Sequence, residues 1–164
     1  MNETVEAAIN EQIKHELDSG YLYLSMAAYC ESQNLGGFAH WMRLQFEEEV
    51  AHAMRLYNHI IDRGGRVILE AIDKPKAEFG APLEIFEQVL AHEQKVTGLI
   101  HKLYELAVKE NDYPVQVELQ WFIEEQVEEE KKAGDIVDQL KLVGDSGTAI
   151  HRIDRMLAKR GSEK

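Results

Sequence analysis

Phe46-Glu-Glu-Glu-Val-Ala-His52 and Ile123-Glu-Glu-Gln-Val-Glu-Glu129 lie 77 positions apart and read as two versions of one passage. Each carries two polar residues three apart, Glu49 with His52 and Gln126 with Glu129, which stand on adjacent turns of one helix face. The same offset lays His15-Glu16 on His92-Glu93. A chain that repeats itself this way, in segments dense in Glu, Leu, Ala, Lys and Gln, reads as a duplicated helical hairpin.

Outward from these passages, apolar residues recur at helical spacing through Ile9, Ile13, Gly20, Tyr23, Ala27 and Cys30. The pattern predicts helices at about 4–33, 38–62, 82–109, 114–142 and 147–160. Asn34-Leu-Gly-Gly closes the first, its glycines expected to supply the left-handed cap, and Arg63-Gly-Gly closes the second. Pro82 and Pro114 open the third and fourth as first-turn prolines. Gly144-Asp-Ser-Gly precedes a short amphipathic helix carrying Ile150, Ile153 and Leu157. Residues 66–81 hold Pro75 and Gly80 but no helical stripe. Sixteen extended residues reach roughly 50 Å, enough to cross the length of a bundle. The expected fold is all-α: one domain, 1–164, with a four-helix bundle of two antiparallel hairpins, a long crossover and a short fifth helix.

Among 164 residues, 45% are apolar, sufficient for a sizeable core. Thirty Asp and Glu against 18 Lys and Arg give a net charge of −12, which repels phosphate backbones and anionic lipid, so neither nucleic acid nor membrane is an expected partner. One cysteine, Cys30, makes no intrachain disulfide and no CxxC metal site, and cytoplasm is the expected compartment. MNETVEAAINEQIK lacks the basic and apolar segments of an export signal, and no apolar run approaches the ~18–20 residues of a membrane span. A soluble protein is expected.

The core stripes run Ile13, Glu16, Gly20, Tyr23 in the first helix and Met42, Gln45, Glu49, His52, Leu56 in the second. They run Phe86, Leu90, Glu93, Thr97, Ile100 in the third and Leu119, Phe122, Gln126, Glu129, Ala133 in the fourth. Every helix thus interrupts its apolar seam with an acid, His or Gln near its middle. A carboxylate carried into a low-dielectric interior protonates or finds a cation. With no Lys or Arg in these stripes, the expectation is a bound metal, and oxygen ligands with one imidazole suit iron or manganese. The missing thiolates argue against structural zinc. Tyr23, seven residues after Glu16, is either a core aromatic or a phenol beside the metals. Trp121 reads as packing, and His15, His40, His59, His92, His101 and His151 as surface or satisfied histidines.

Taken in order, Glu16 with Tyr23, Glu49-Val-Ala-His52, Glu93 in His92-Glu93-Gln94, and Glu125-Gln-Val-Glu-Glu129 resemble the non-haem ferritins of bacteria and archaea across essentially the whole chain. The resemblance implies a di-iron ferroxidase centre: Glu16, Glu49 and His52 on the first iron, Glu49 bridging to a second held by Glu93 and Glu129, with Gln126 beside the pair. It further implies a third site from Glu48, Glu125 and Glu128, with Glu129 reaching across, although Glu runs at 47–49 and 128–130 also look like solvated helix faces. Fe(II) would be oxidised to Fe(III) by O2 or hydrogen peroxide and mineralised inside a homo-oligomeric shell of twenty-four subunits, the fifth helix lining its four-fold axes. Haem is not expected, because Val50 fills the position of the haem-ligating Met of bacterioferritins. The acids that line the three-fold channel of animal ferritins correspond here to Gln116 and Leu119, with Glu118 nearby. Two other readings are a helical scaffold whose acids are all solvated, and a di-iron peroxidase or oxidase that stores no iron.

Overall fold

In the computed structural model, which describes residues 1–162, five helices follow in order: α1 Glu3–Ser32, α2 Gly36–Asp62, α3 Pro82–Lys109, α4 Tyr113–Val143 and α5 Gly147–Leu157. α1 packs along α2 and α3 along α4, α1 also meets α3, and α5 lies against α2 and α4. The segment between α2 and α3 is pinned along α1 in the direction of that helix. Asn10 accepts from the Ile68 N–H at 2.8 Å, Ser25 donates to the Lys76 carbonyl, and the Tyr29 hydroxyl donates to the Gly80 carbonyl at 2.7 Å. From Asn10 to Tyr29 is about 28 Å of helix, so the link crosses most of the bundle and delivers α3 antiparallel to α1. Among the described residues no helix is long and apolar enough to cross a membrane.

The apolar interior falls into two clusters. One gathers Tyr23, Met26, Phe38, Met42, Phe86 and Ile136 with α5's Ile153 and Leu157. The other gathers Ile9, Ile13, Leu56, Ile100, Leu119 and Phe122. Between them, at mid-length, sits the polar layer that interrupts all four stripes.

Two expectations at helix ends are corrected. The left-handed residue after α1 is Asn34, at φ 58°, not a glycine. Its N–H reaches the Glu31 carbonyl at 3.1 Å and that of Leu35 reaches the Cys30 carbonyl at 2.9 Å, the paired closing bonds of a helix end. Asparagine tolerates this conformation, which frees Gly36 and Gly37 to begin α2 two residues earlier than the pattern suggests. Gly37 is needed for close approach: a Cβ there would lie 1.7 Å from the Asp154 carbonyl oxygen of α5. Asp154 Oδ1 accepts the Phe38 N–H at 3.0 Å, capping a helix whose own Leu35 provides no side-chain cap. α5 ends at Leu157, three residues short of the expected Arg160. There the chain turns back onto α2, with the Arg160 guanidinium 4.5 Å over the Trp41 ring and its Nη1 donating to the Trp41 carbonyl at 3.0 Å.

Gly37→Ala is expected to destabilise the protein by about 1–3 kcal/mol through this clash, whereas Gly36→Ala, whose Cβ meets nothing, is neutral or slightly stabilising. Thermal or denaturant unfolding of both variants checks it, and equal midpoints would refute the docking role of Gly37.

Candidate metal centre

Glu16 comes from α1, Glu49 and His52 from α2, Glu93 from α3, and Gln126 and Glu129 from α4. The four carboxylates are at most 1% exposed and His52 is 4% exposed, so every stripe interruption read from the sequence points inward. Gly20 lets α1 and α2 approach here, since a Cβ on it would meet the Phe46 ring at 3.3 Å and Glu49 Cβ at 3.5 Å.

Three of these side chains converge. His52 Nδ1 lies 3.4 Å from Glu49 Oε2 and 3.7 Å from Glu16 Oε2. One ligand atom from each of Glu16, Glu49 and His52 lies within 4.8 Å of the others. Behind them, Gln12 Nε2 donates to Glu16 Oε1 at 2.8 Å, and the Trp121 and Phe122 rings meet the His52 ring edge to face. Glu93 is held separately: the Tyr23 hydroxyl donates to Oε1 and Gln126 Nε2 donates to Oε2 at 3.1 Å. Gln126 also donates to Thr97 Oγ1 at 3.2 Å. Glu129 Oε2 accepts from Gln45. Tyr23 is therefore both things its position allowed, a fully buried aromatic and a phenol bonded to the site.

Glu16 Oε2, both oxygens of Glu49 and Glu129 Oε1 are buried without a hydrogen-bond partner. Burial pushes the Glu49 carboxyl well above the usual range, and repulsion from Glu16 and Glu93 adds to this against the pull of the nearby His52. Burial and the neighbouring Glu129 raise Glu93 to about 7, opposed by the hydrogen bonds from Tyr23 and Gln126. Burial works against a charged His52, but the nearby carboxylates of Glu16 and Glu49 outweigh that and carry it up to about 11. Burial likewise opposes an ionised Glu16, yet the nearby His52, the adjoining Glu49 and the Gln12 hydrogen bond hold it below its ordinary value. One imidazole stands among four inward carboxylates, and the orphaned oxygens are hard donors, those of Glu16 and Glu49 beside His52. This donor set fits divalent iron or manganese.

Lys132, one turn beyond Glu129 on α4, places Nζ 3.6 Å from Glu129 Oε1, so a protein cation does reach the layer. It stands outside the apolar stripe, and its stem brings the charge in from the surface. Of the acids assigned by resemblance to a third site, Glu48 Oε2 lies 3.0 Å from Arg160, Glu125 Oε1 lies 3.9 Å from His52 Nε2, and Glu128 is exposed. Of the three-fold set, Leu119 is buried in the core, Gln116 donates to the Ala107 carbonyl at 3.2 Å and Glu118 is paired with Arg55. His92 is satisfied, 2.7 Å from Ser19 Oγ. Gln12 was missed, although its place one turn before Glu16 is a readable signal. Arg160 had none, because nothing in its neighbourhood foretells that the tail folds onto α2.

Fold and site together define a helical-bundle protein whose interior carries a carboxylate–histidine cluster able to hold a metal ion. The ferritin-like domain family model matches residues 6–143. The bacterial non-heme ferritin of Bacteroides fragilis (strain 638R) is 44% identical over 160 residues, covering 98% of this chain and 99% of the relative. That of Staphylococcus saprophyticus is 38% identical over 164 residues, covering 100% and 98%. The solved open pore ferritin of the hyperthermophilic archaeon Archaeoglobus fulgidus superposes with a TM-score of 0.97 at 46% identity, covering 98% of this chain and 99% of that one. The chain belongs to the ferritin family, among its non-haem members, and iron storage is the general business of that family.

A raised carboxyl pKa in the folded state costs stability at neutral pH, where the unfolded residue is ionised, and the cost fades as pH falls toward the unfolded value. Glu49→Gln is therefore expected to stabilise the chelator-treated protein by about 1 kcal/mol or more at pH 7, with the gain vanishing near pH 4. Thermal unfolding at the two pH values checks this. A variant less stable at pH 7 would mean that burial and repulsion within the layer do not penalise an ionised Glu49.

Proposed function

We propose that the polar layer is an intrasubunit ferroxidase centre that takes Fe(II) as substrate and passes Fe(III) to a mineral store. The observation that carries this reading is the meeting of Glu16, Glu49 and His52 ligand atoms within 4.8 Å, with both Glu49 oxygens unpartnered. Glu16 and His52 would hold one iron and Glu93 and Glu129 a second, with Glu49 between the helix pairs as the bridging carboxylate. Anionic oxygen ligands favour Fe(III) over Fe(II) and so lower the barrier to giving up an electron. Two Fe(II) ions supply the two electrons that reduce O2 to hydrogen peroxide. With four waters the balance is two FeOOH, one H2O2 and four protons; hydrogen peroxide as oxidant takes the same two electrons.

The surrounding residues act on this set by position. Gln126 fixes the Glu93 carboxylate from one side and Tyr23 from the other, so that the second pocket is oriented before iron arrives. Gln12 does the same for Glu16. The Tyr23 phenol, buried and hydrogen-bonded to a ligand, is also placed to give up an electron. Glu48, Glu125 and Glu128 would receive oxidised iron on its way to the store. The chain acts as one domain within a homo-oligomeric, twenty-four-subunit cage in the cytoplasm, with no haem.

Aerobic addition of Fe(II) to the purified protein, followed by particle sizing and an iron count, tests the reading. A hollow assembly loaded far beyond a pair of irons per chain is expected. A small oligomer holding only a pair points to a non-storing di-iron oxidase or peroxidase, and no uptake sinks the metal reading. Glu49→Ala and His52→Ala should each slow rapid Fe(II) oxidation by more than about 100-fold while leaving the assembly intact. Oxidation at the parental rate in either variant would place the centre elsewhere.

A further inference from the structure

The layer is electrostatically lopsided. On its Glu16 side the neighbouring cation is the imidazole of His52, a ligand in its own right. On its Glu129 side the neighbour is the ammonium of Lys132, which cannot bind a metal and sits 3.6 Å from Glu129 Oε1, an oxygen that no hydrogen bond satisfies. The two partners differ in exposure: the Lys132 side chain is 40% exposed and that of Glu129 is 1% exposed. The lysine thus reaches inward from solvent to a fully buried acid, and its stem is free to swing the charge back out. On the same flank a second protein cation, Arg160, lies 3.0 Å from Glu48 Oε2.

We propose that Lys132 is an exchangeable counter-cation of Glu129, a built-in competitor that must be displaced before Glu129 can hold a metal ion. The inference rests on the di-metal reading of the layer and deepens it. A lysine at this distance lowers the effective affinity of the Glu129 half and leaves the Glu16 half untouched, so the two positions fill in order and the second is the one that lets go. An ion pair with one partner partly in water is weak, which keeps the competition reversible; its removal should tighten the second step by about fivefold.

The test uses the full-length assembled protein and Co(II), a divalent ion that air-free conditions leave unoxidised, titrated calorimetrically into parent, Lys132→Met, Lys131→Met and Glu49→Ala. Methionine keeps the unbranched stem and removes the charge. In the parent two binding steps that depend on Glu49 are expected. Lys132→Met should tighten the weaker step about fivefold and leave the stronger unchanged, and Lys131→Met, which removes an exposed lysine paired with Asp135, should alter neither. Superimposable parent and Lys132→Met isotherms overturn the proposal, as does equal tightening by both lysine variants, which would mark a general charge effect. Absence of Glu49-dependent binding in the parent overturns the di-metal reading itself, and this inference with it. Should Lys132→Met fail to assemble, Lys132→Gln serves under the same criteria.

Discussion

Four carboxylates and one imidazole share the middle of this bundle, and the repulsion among the acids shapes much of the rest. Glu16, Glu49, Glu93 and Glu129 come one from each of α1–α4, so no single helix can relieve the repulsion by shifting its register. The layer separates the apolar interior into two clusters, each packed by all four helices. Those clusters clamp the ends of the bundle while its middle holds charge that a protein alone answers poorly. Burial of large side chains such as Phe38, Phe86 and Phe122 on either side supplies the stability that lets an unfavourable centre persist.

The connections follow from the same demand. A carboxylate from each of α1–α4 at one level requires the second hairpin to lie beside the first with its repeat in register, and the link that crosses the bundle sets α3 antiparallel to α1 there. Asn10, Ser25 and Tyr29 hold that link along α1 over its whole course. At the far end, α5 caps α2 through Asp154, and the tail beyond it reaches Glu48 through Arg160. The short helix is thereby tied both to the start of α2 and to the acids beside the centre.

Helical period made the layer legible. A stripe that runs Ile13, Glu16, Gly20, Tyr23 can point only one way, and the structure buries all four residues. Proline and spacing likewise placed α3 at its observed bounds and α4 within one residue at each end. What escaped was decided by contacts between distant segments. Two glycines after Asn34 look like a helix stop, yet the second, Gly37, is required by α5, more than a hundred residues on. Arg160 reads as a continuation of a basic helix, and its docking on Trp41 cannot be seen without the fold. Lys132 escaped for a subtler reason: a stripe lists residues whose Cβ faces the core, whereas a lysine delivers its charge several bonds away.

That distinction bears on how a metal site buried in protein can also let go of its cargo. A centre made only of unpaired carboxylates would hold a highly charged cation tightly, and one fully neutralised by protein cations would hold nothing. Here the compensation is partial and uneven, an imidazolium on one side and a partly exposed ammonium on the other. Gln45, Gln12 and Gln126 orient the carboxylates with neutral amides that add no charge of either sign. The acids stay poised, oriented by dipoles and only loosely countered, so the free energy of placing a cation comes mainly from relieving their mutual repulsion. Because that relief is greatest for the first cation and smaller for the next, unequal affinity follows from the electrostatics of the layer, and Lys132 sharpens it.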